Sequence, residues 1–177
     1  MTSRIDALAP DMKPLDGADP QEWYFAQGYT DGLPVIPPTP DKVEAMIEAL
    51  GGDANFLEAR VPPRWGNLTH RVMAVNAVMA GCLPIYAPVL RTAMRAMCES
   101  HFNLNAIQAT THVIAPLAIV NGPVRTQIGM NSGHGAFGPG NRANATIGRA
   151  IRLILLNVGG ALPGVLDKST QGTPAKY

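Results

Sequence analysis

Apolar residues recur at helical spacing in several separate stretches, and the turn residues between them mark where each element stops. Asp19-Pro20 has the form of an N-cap followed by N1. It predicts a short helix through Gln21, Trp23, Tyr24 and Phe25 that ends near Gly28. Thr30 to Thr39 reads as extended, because each residue before Pro34, Pro37 and Pro38 is pushed out of the α region. Thr39 or Asp41 then caps a helix carrying Val43, Met46, Ile47 and Leu50, stopped by Gly51-Gly52. A strand is expected near Phe56 to Val61, followed by the Pro62 to Gly66 turn. From Asn67 and Thr69 a long apolar helix should run to Gly81, its small side chains predicting burial and leaving Asn76 in need of a partner.

A second helix, Ala87 to Met97, would face Val89, Leu90, Ala93, Met94 and Met97 inward and Arg91 and Arg95 outward. Val113 to Val120 is apolar enough for a central strand, with Pro116 marking an edge or bulge. Asn121-Gly122-Pro123 turns into a short strand over Val124 to Ile128. The last long helix, from about Asn144 to Val158, presents Ile147, Ile151, Ile154, Leu155 and Val158 on one face, and Gly159-Gly160 ends it. Arg149 and Arg152 read as its solvated face. The expected class is α/β in the sense of mixed α+β layers: several helices on a short mixed sheet, with a Gly-rich loop before the long C-terminal helix. The expected organisation is an arm over 1–19, one globular domain over 20–161, and an irregular tail over 162–177 packed on a partner chain.

With 177 residues, 46% hydrophobic and 15% charged, the chain can bury one sizeable core, which excludes a disordered tail or a collagen-like rod. No apolar run reaches the roughly 18 residues of a bilayer span, and the first residues carry no signal-like apolar core, so a cytoplasmic protein without a membrane partner is expected. Cys82 and Cys98 are too few for a disulfide framework or a four-Cys zinc site and read as reduced thiols. The formal charge of +1 hides an asymmetry: residues 1–58 hold eleven acids and three bases, residues 59–177 eleven bases and two acids. No carboxylate lies between Ser100 and Leu166, where Arg125, Arg142, Arg149 and Arg152 accompany His101, His112 and His134. An anionic ligand suits that stretch better than a carboxylate-held metal, unless the acidic segment or another subunit supplies the counter-charges. Arginines scattered through apolar helices, with 6% aromatics, fit nucleic acid poorly.

Candidate chemistry concentrates in Gly129 to Arg149. Its glycines, Gly133, Gly138 and Gly140 among them, let a backbone approach a ligand, and the following helix offers free N–H groups. The segment is neither a Walker A loop nor a dinucleotide fingerprint, and a tight loop needing glycine for its own turns is the plain alternative. Asn131, Ser132, Asn141 and Asn144 supply neutral donors and acceptors, Arg142 a bidentate fork for an anion, and His134 an acid or base. Gln108, Thr110, Thr111 and His112 precede the expected strand and are candidates to complete a cleft. His112 would serve as general base or as a hydrogen-bonded structural residue. Cys82 would be a nucleophile or an inert buried thiol. No ligand spacing supports a metal site.

TDGLPVIPPT (Thr30–Thr39), PPRWG (Pro62–Gly66), NAVMAGC (Asn76–Cys82), QATTH (Gln108–His112), FGPGNRANATIGR (Phe137–Arg149) and NVGG (Asn157–Gly160) together resemble a bacterial family. Its members carry the label thiol-disulfide oxidoreductase or are grouped with UGSC-motif proteins. The resemblance covers about residues 20–177, and the absence of Cys-x-x-Cys stands against a dithiol mechanism. Proteins of this kind continue past the equivalent of Lys176-Tyr177 with a Ser-Phe-Cys-containing stretch and a further domain, so the chain is similar to their N-terminal portion. That implies a companion chain, whether from a precursor cut, a split gene or an arbitrary boundary. The cofactor is left open, with a self-derived group such as a pyruvoyl on the companion as one form it would take. The expected function is an enzyme subunit that binds a small anionic organic substrate for hydrolysis or elimination at a carbon-heteroatom bond. Rival readings are a thiol-dependent redox or transfer enzyme using Cys82, and a non-catalytic structural half of a complex.

Overall fold

Asp19 caps the first helix, α1 (Pro20–Gln27), its carboxylate accepting from Gln21 N at 2.8 Å, and Gly28 closes it in the left-handed region at φ 69°. The computed structural model describes residues 19–172; the expected N-terminal arm and the last residues of the tail lie outside them. The Gln21 amide ties α1 to the extended proline segment through Val35, giving Nε2 to its carbonyl (2.8 Å) and taking its N–H (2.9 Å). α2 (Pro40–Leu50) then buries Val43, Met46, Ile47 and Leu50, the apolar stripe its sequence shows.

β1 (Leu57–Val61) and β2 (Gly66–Thr69) form an antiparallel pair with Val61 opposite Gly66, joined by a turn holding a cis Pro62–Pro63 bond. This two-stranded antiparallel sheet stands where a short mixed sheet was expected. β2 itself was read as a turn leading into a helix. Thr69 ends the strand and caps α3 (His70–Ala80), accepting from Val72 N. All of α3 except Arg71 is buried. It packs against both α2 and α7 (Arg142–Asn157). α4 (Ala87–Cys98) leans on β1, α2 and α7 and buries Val89, Leu90, Met94 and Met97. The fold is therefore mixed α+β, with helices packed on a small antiparallel sheet.

The hairpin turn is held to the end of α7. Arg64 N donates to Gly159 O at 3.0 Å, and a Cβ on Gly159 would lie 2.6 Å from Pro62 O and 2.7 Å from Leu155 O, so only glycine fits. The PPRWG and NVGG segments thus meet in space, and the close approach accounts for the glycine.

Two expected strands are not formed. Pro123 sits at the start of α6 (Pro123–Gln127), so Val124 to Ile128 is mostly helical. Val113 to Val120 forms no strand and pairs with nothing: among the described residues, the backbone of 113–121 makes no hydrogen bond. Pro116 removes one N–H, and β1 and β2 lie together elsewhere, so an apolar run alone could not make a ladder here. Leu117 and Ile119 are 66% and 77% exposed, while Val120 packs on the core. Just before this run, Leu104–Gln108 forms α5, a short turn of helix.

The charge asymmetry has a partial structural answer. Asp31 receives Arg149 Nε and Nη2, both at 2.9 Å, and the same guanidinium bonds the Leu33 and Pro34 carbonyls. Arg149 is thus an internal clamp between α7 and the proline segment, not part of a solvated face. Arg152 is likewise buried, at 7% exposure. Among the described residues no single helix is long and apolar enough to cross a membrane.

Candidate functional site

The Gly-rich segment before α7 turns most of its polar side chains onto its own backbone. Asn141 caps α7, its Oδ1 accepting from Asn144 N at 2.9 Å, and its Nδ2 donates to Gly129 O at 2.8 Å. Asn144 accepts from Asn131 N (3.0 Å) and donates to the carbonyls of Asn131 (2.9 Å) and Ala136 (3.0 Å). Asn131 takes Gly133 N and gives Nδ2 to His134 O. Arg125 holds Ser132 Oγ. Gly138 N closes a turn on Gly135 O, and Gly140 has φ 109°, a backbone state that favours glycine. Arg142 lays its fork on one atom, Gly81 O, with Nε at 3.1 Å and Nη2 at 3.0 Å. The structure therefore brings Asn131, Asn141 and Asn144 together, in a lattice that shapes the loop, and leaves His134 exposed.

Cys82 follows α3 and lies beside Arg142 on a hollow of about 450 Å³. Its Sγ donates to Thr146 O at 3.3 Å. Burial pushes the thiol up to about 11, outweighing the Thr146 hydrogen bond and the Arg142 charge, so it is protonated at neutral pH. Thr110, Thr111 and His112 sit elsewhere, stapled to the C-terminal segment. Lys168 N donates to Thr110 O (2.8 Å), Ser169 Oγ donates to His112 O (2.7 Å), and His112 N donates to Thr110 Oγ1. The His112 and Thr111 side chains are exposed.

Gln108 goes a different way. It ends α5 and lines a cleft of about 590 Å³ between α4 and α7, walled on one side by residues 116–121. α4 contributes Pro88, Val89, Thr92, Ala93, Ala96 and Met97; α7 contributes Gly148, Ile151, Arg152 and Leu155, a stripe at spacings of three and four. Gln108 is 1% exposed and its amide nitrogen has no hydrogen-bond partner among the described residues. Arg152 also lies in the wall; its nearest carboxylate oxygen among the described residues, Asp167 Oδ2, is 3.7 Å from Nη2, beyond hydrogen-bond reach. Burial lowers the Arg152 pKa, against the pull of Asp167 and Asp31, yet the guanidinium stays charged at any working pH. The buried Gln108 amide with an unfilled donor, beside a guanidinium whose ion pair with Asp167 is too long for a hydrogen bond, makes a site able to take an acceptor.

Of the residues singled out from sequence, Gln108 is the one in this cleft. Arg152, Gly148 and the α4 face were missed. The available signal was Arg152 itself, an arginine falling on the Ile151–Leu155 apolar stripe. Gly148 gave another, a glycine in a helix interior with no turn to serve. Among the described residues no three of His, Cys, Asp and Glu gather closely enough to hold a metal. Compared with known protein families, curated proteins and solved structures, the chain finds no match.

Proposed function

We propose that the chain is the substrate-binding subunit of a small-molecule enzyme and holds an anionic organic molecule in the cleft between α4 and α7. One observation carries this reading: in the cleft that Arg152 lines, ion-paired with Asp167 at 3.7 Å but without a hydrogen bond to it, Gln108 keeps a buried amide donor that the described residues leave unfilled. A carboxylate is the simplest group that suits both, accepting charge-assisted hydrogen bonds from the guanidinium and a neutral one from the amide. The reaction class that fits is hydrolysis or elimination at a carbon-heteroatom bond. The cleft wall carries no His, Cys, Asp or Glu, so in this reading the proton-transfer or nucleophilic group comes from a companion chain.

Titration calorimetry with benzoate and with benzamide tests the binding half. Benzoate is expected to bind more tightly than benzamide, and Arg152→Gln and Gln108→Leu each to weaken it about tenfold, the size of one lost buried hydrogen bond. Folded variants, by circular dichroism, that bind benzoate as the parent does would sink the reading. The companion is sought by native mass spectrometry of protein expressed from its full genomic locus; a catalytically active species of this chain alone would remove it.

A further inference from the structure

Resting on the reading that the cleft holds an anion, the geometry points to a narrower ligand: a monocarboxylate with an extended apolar body, its length admitted by Gly148. Arg152 is the one charged side chain in the lining, and beside it only Gln108, Thr92 and Asn121 are polar. A second negative charge, as on a dicarboxylate or a phosphate dianion, would have to sit against apolar wall without a partner. The remaining wall, from Val89, Met97, Phe102, Val124, Ile151 and Leu155, rewards apolar surface.

Gly148 lies one helical turn before Arg152 on the same face of α7. A Cβ built there meets nothing within 4 Å, and no positive φ demands glycine. Glycine is the poorest helix former after proline, so its place in the middle of α7 carries a penalty that neither packing nor backbone conformation explains. Its effect is bare space in the cleft wall. A ligand whose carboxylate meets Arg152 runs its body over that gap, and side-chain bulk at position 148 would set how long the body is.

The test is a calorimetric series of acetate, butyrate, hexanoate and octanoate on the intact protein, its Gly148→Ala and Gly148→Leu variants, and Arg152→Gln. Affinity is expected to rise up to about fourfold per methylene in the parent. Gly148→Leu should lower octanoate affinity at least tenfold while leaving acetate unchanged, with Gly148→Ala in between. The alanine variant serves if leucine disturbs folding. A flat chain-length series, or octanoate binding indifferent to both substitutions, overturns the inference. If Arg152→Gln still weakens acetate and octanoate alike, the anion reading survives that failure; if Arg152→Gln changes nothing, both fall together.

Discussion

Asn157 on α7 donates to Asn76 Oδ1 on α3 across 2.9 Å, with both side chains buried. Asn76 returns its own N–H to Val72 O at 2.8 Å, and Asn157 Nδ2 also reaches Tyr29 O at 3.0 Å. The need for a partner that Asn76 shows in sequence is met by a residue 81 positions away, and the pair fixes the register of the two helices that form the centre of the fold. Asn157→Ala leaves Asn76 Oδ1 and Tyr29 O without this donor in a dry interior and should cost about 3 kcal/mol. Urea unfolding checks it, with the midpoint falling and the slope unchanged.

Glu58 gathers the positive charges of the opposite edge. Its side chain is 2% exposed; Oε2 faces His70 Nε2 at 3.0 Å and Arg91 Nε at 2.6 Å, and Oε1 lies 3.2 Å from Arg95 Nε. Burial alone would raise its pKa, but the His70 and Arg91 hydrogen bonds and the two arginine charges outweigh it and hold the carboxyl below its usual value. A group depressed in the folded state contributes stability above its unfolded pKa and loses it as pH falls through the folded one. The contribution should therefore be full near neutrality and fade below about pH 4.5. Glu58→Gln should lose about 2 kcal/mol at pH 7, tempered by the partial exposure of both arginines, and less at pH 3. An equal deficit at both pH values would contradict the assignment.

Gly148→Ala separates stability from binding. With open space around the new methyl group, α7 should gain up to about 1 kcal/mol of helix propensity, a rise of roughly 2–4 °C in melting temperature without ligand. A lower melting temperature would show that the position is crowded after all.

Cys82 is expected to be slow toward alkylation. A thiol held near 11 rather than 9 has about 100-fold less thiolate at pH 8. Iodoacetamide labelling followed by peptide mass spectrometry should show Cys82 modified far more slowly than a free thiol. Cys82→Ser should bind benzoate as the parent does. Rapid labelling of Cys82 in the folded protein would return the thiol to consideration as a nucleophile.

The helices were largely legible because each rests on local evidence: Asp19-Pro20 and Thr39-Pro40 at starts, Gly28, Gly51 and Gly81 at ends, and apolar stripes between. The sheet was less so. Gly66 to Thr69 is four residues with little alternation, and it becomes a strand because β1 lies beside it. Val113 to Val120 has the composition of a strand and no ladder, since composition does not supply a neighbour. The cleft was legible only through residues that broke a pattern. An arginine on an apolar stripe and a glycine inside a helix look like exceptions until the packing of α4 against α7 puts them on one surface.

The wall formed by residues 116–121 belongs to a stretch whose amides and carbonyls bond to nothing else among the described residues. Among the described residues no backbone hydrogen bond protects this stretch from exchange with solvent. Deuterium should enter these amides at nearly the rate of an unstructured peptide while the α7 core stays protected, and a molecule seated beneath should slow it. A run of backbone without hydrogen bonds among the described residues would then report occupancy directly, without any knowledge of the reaction.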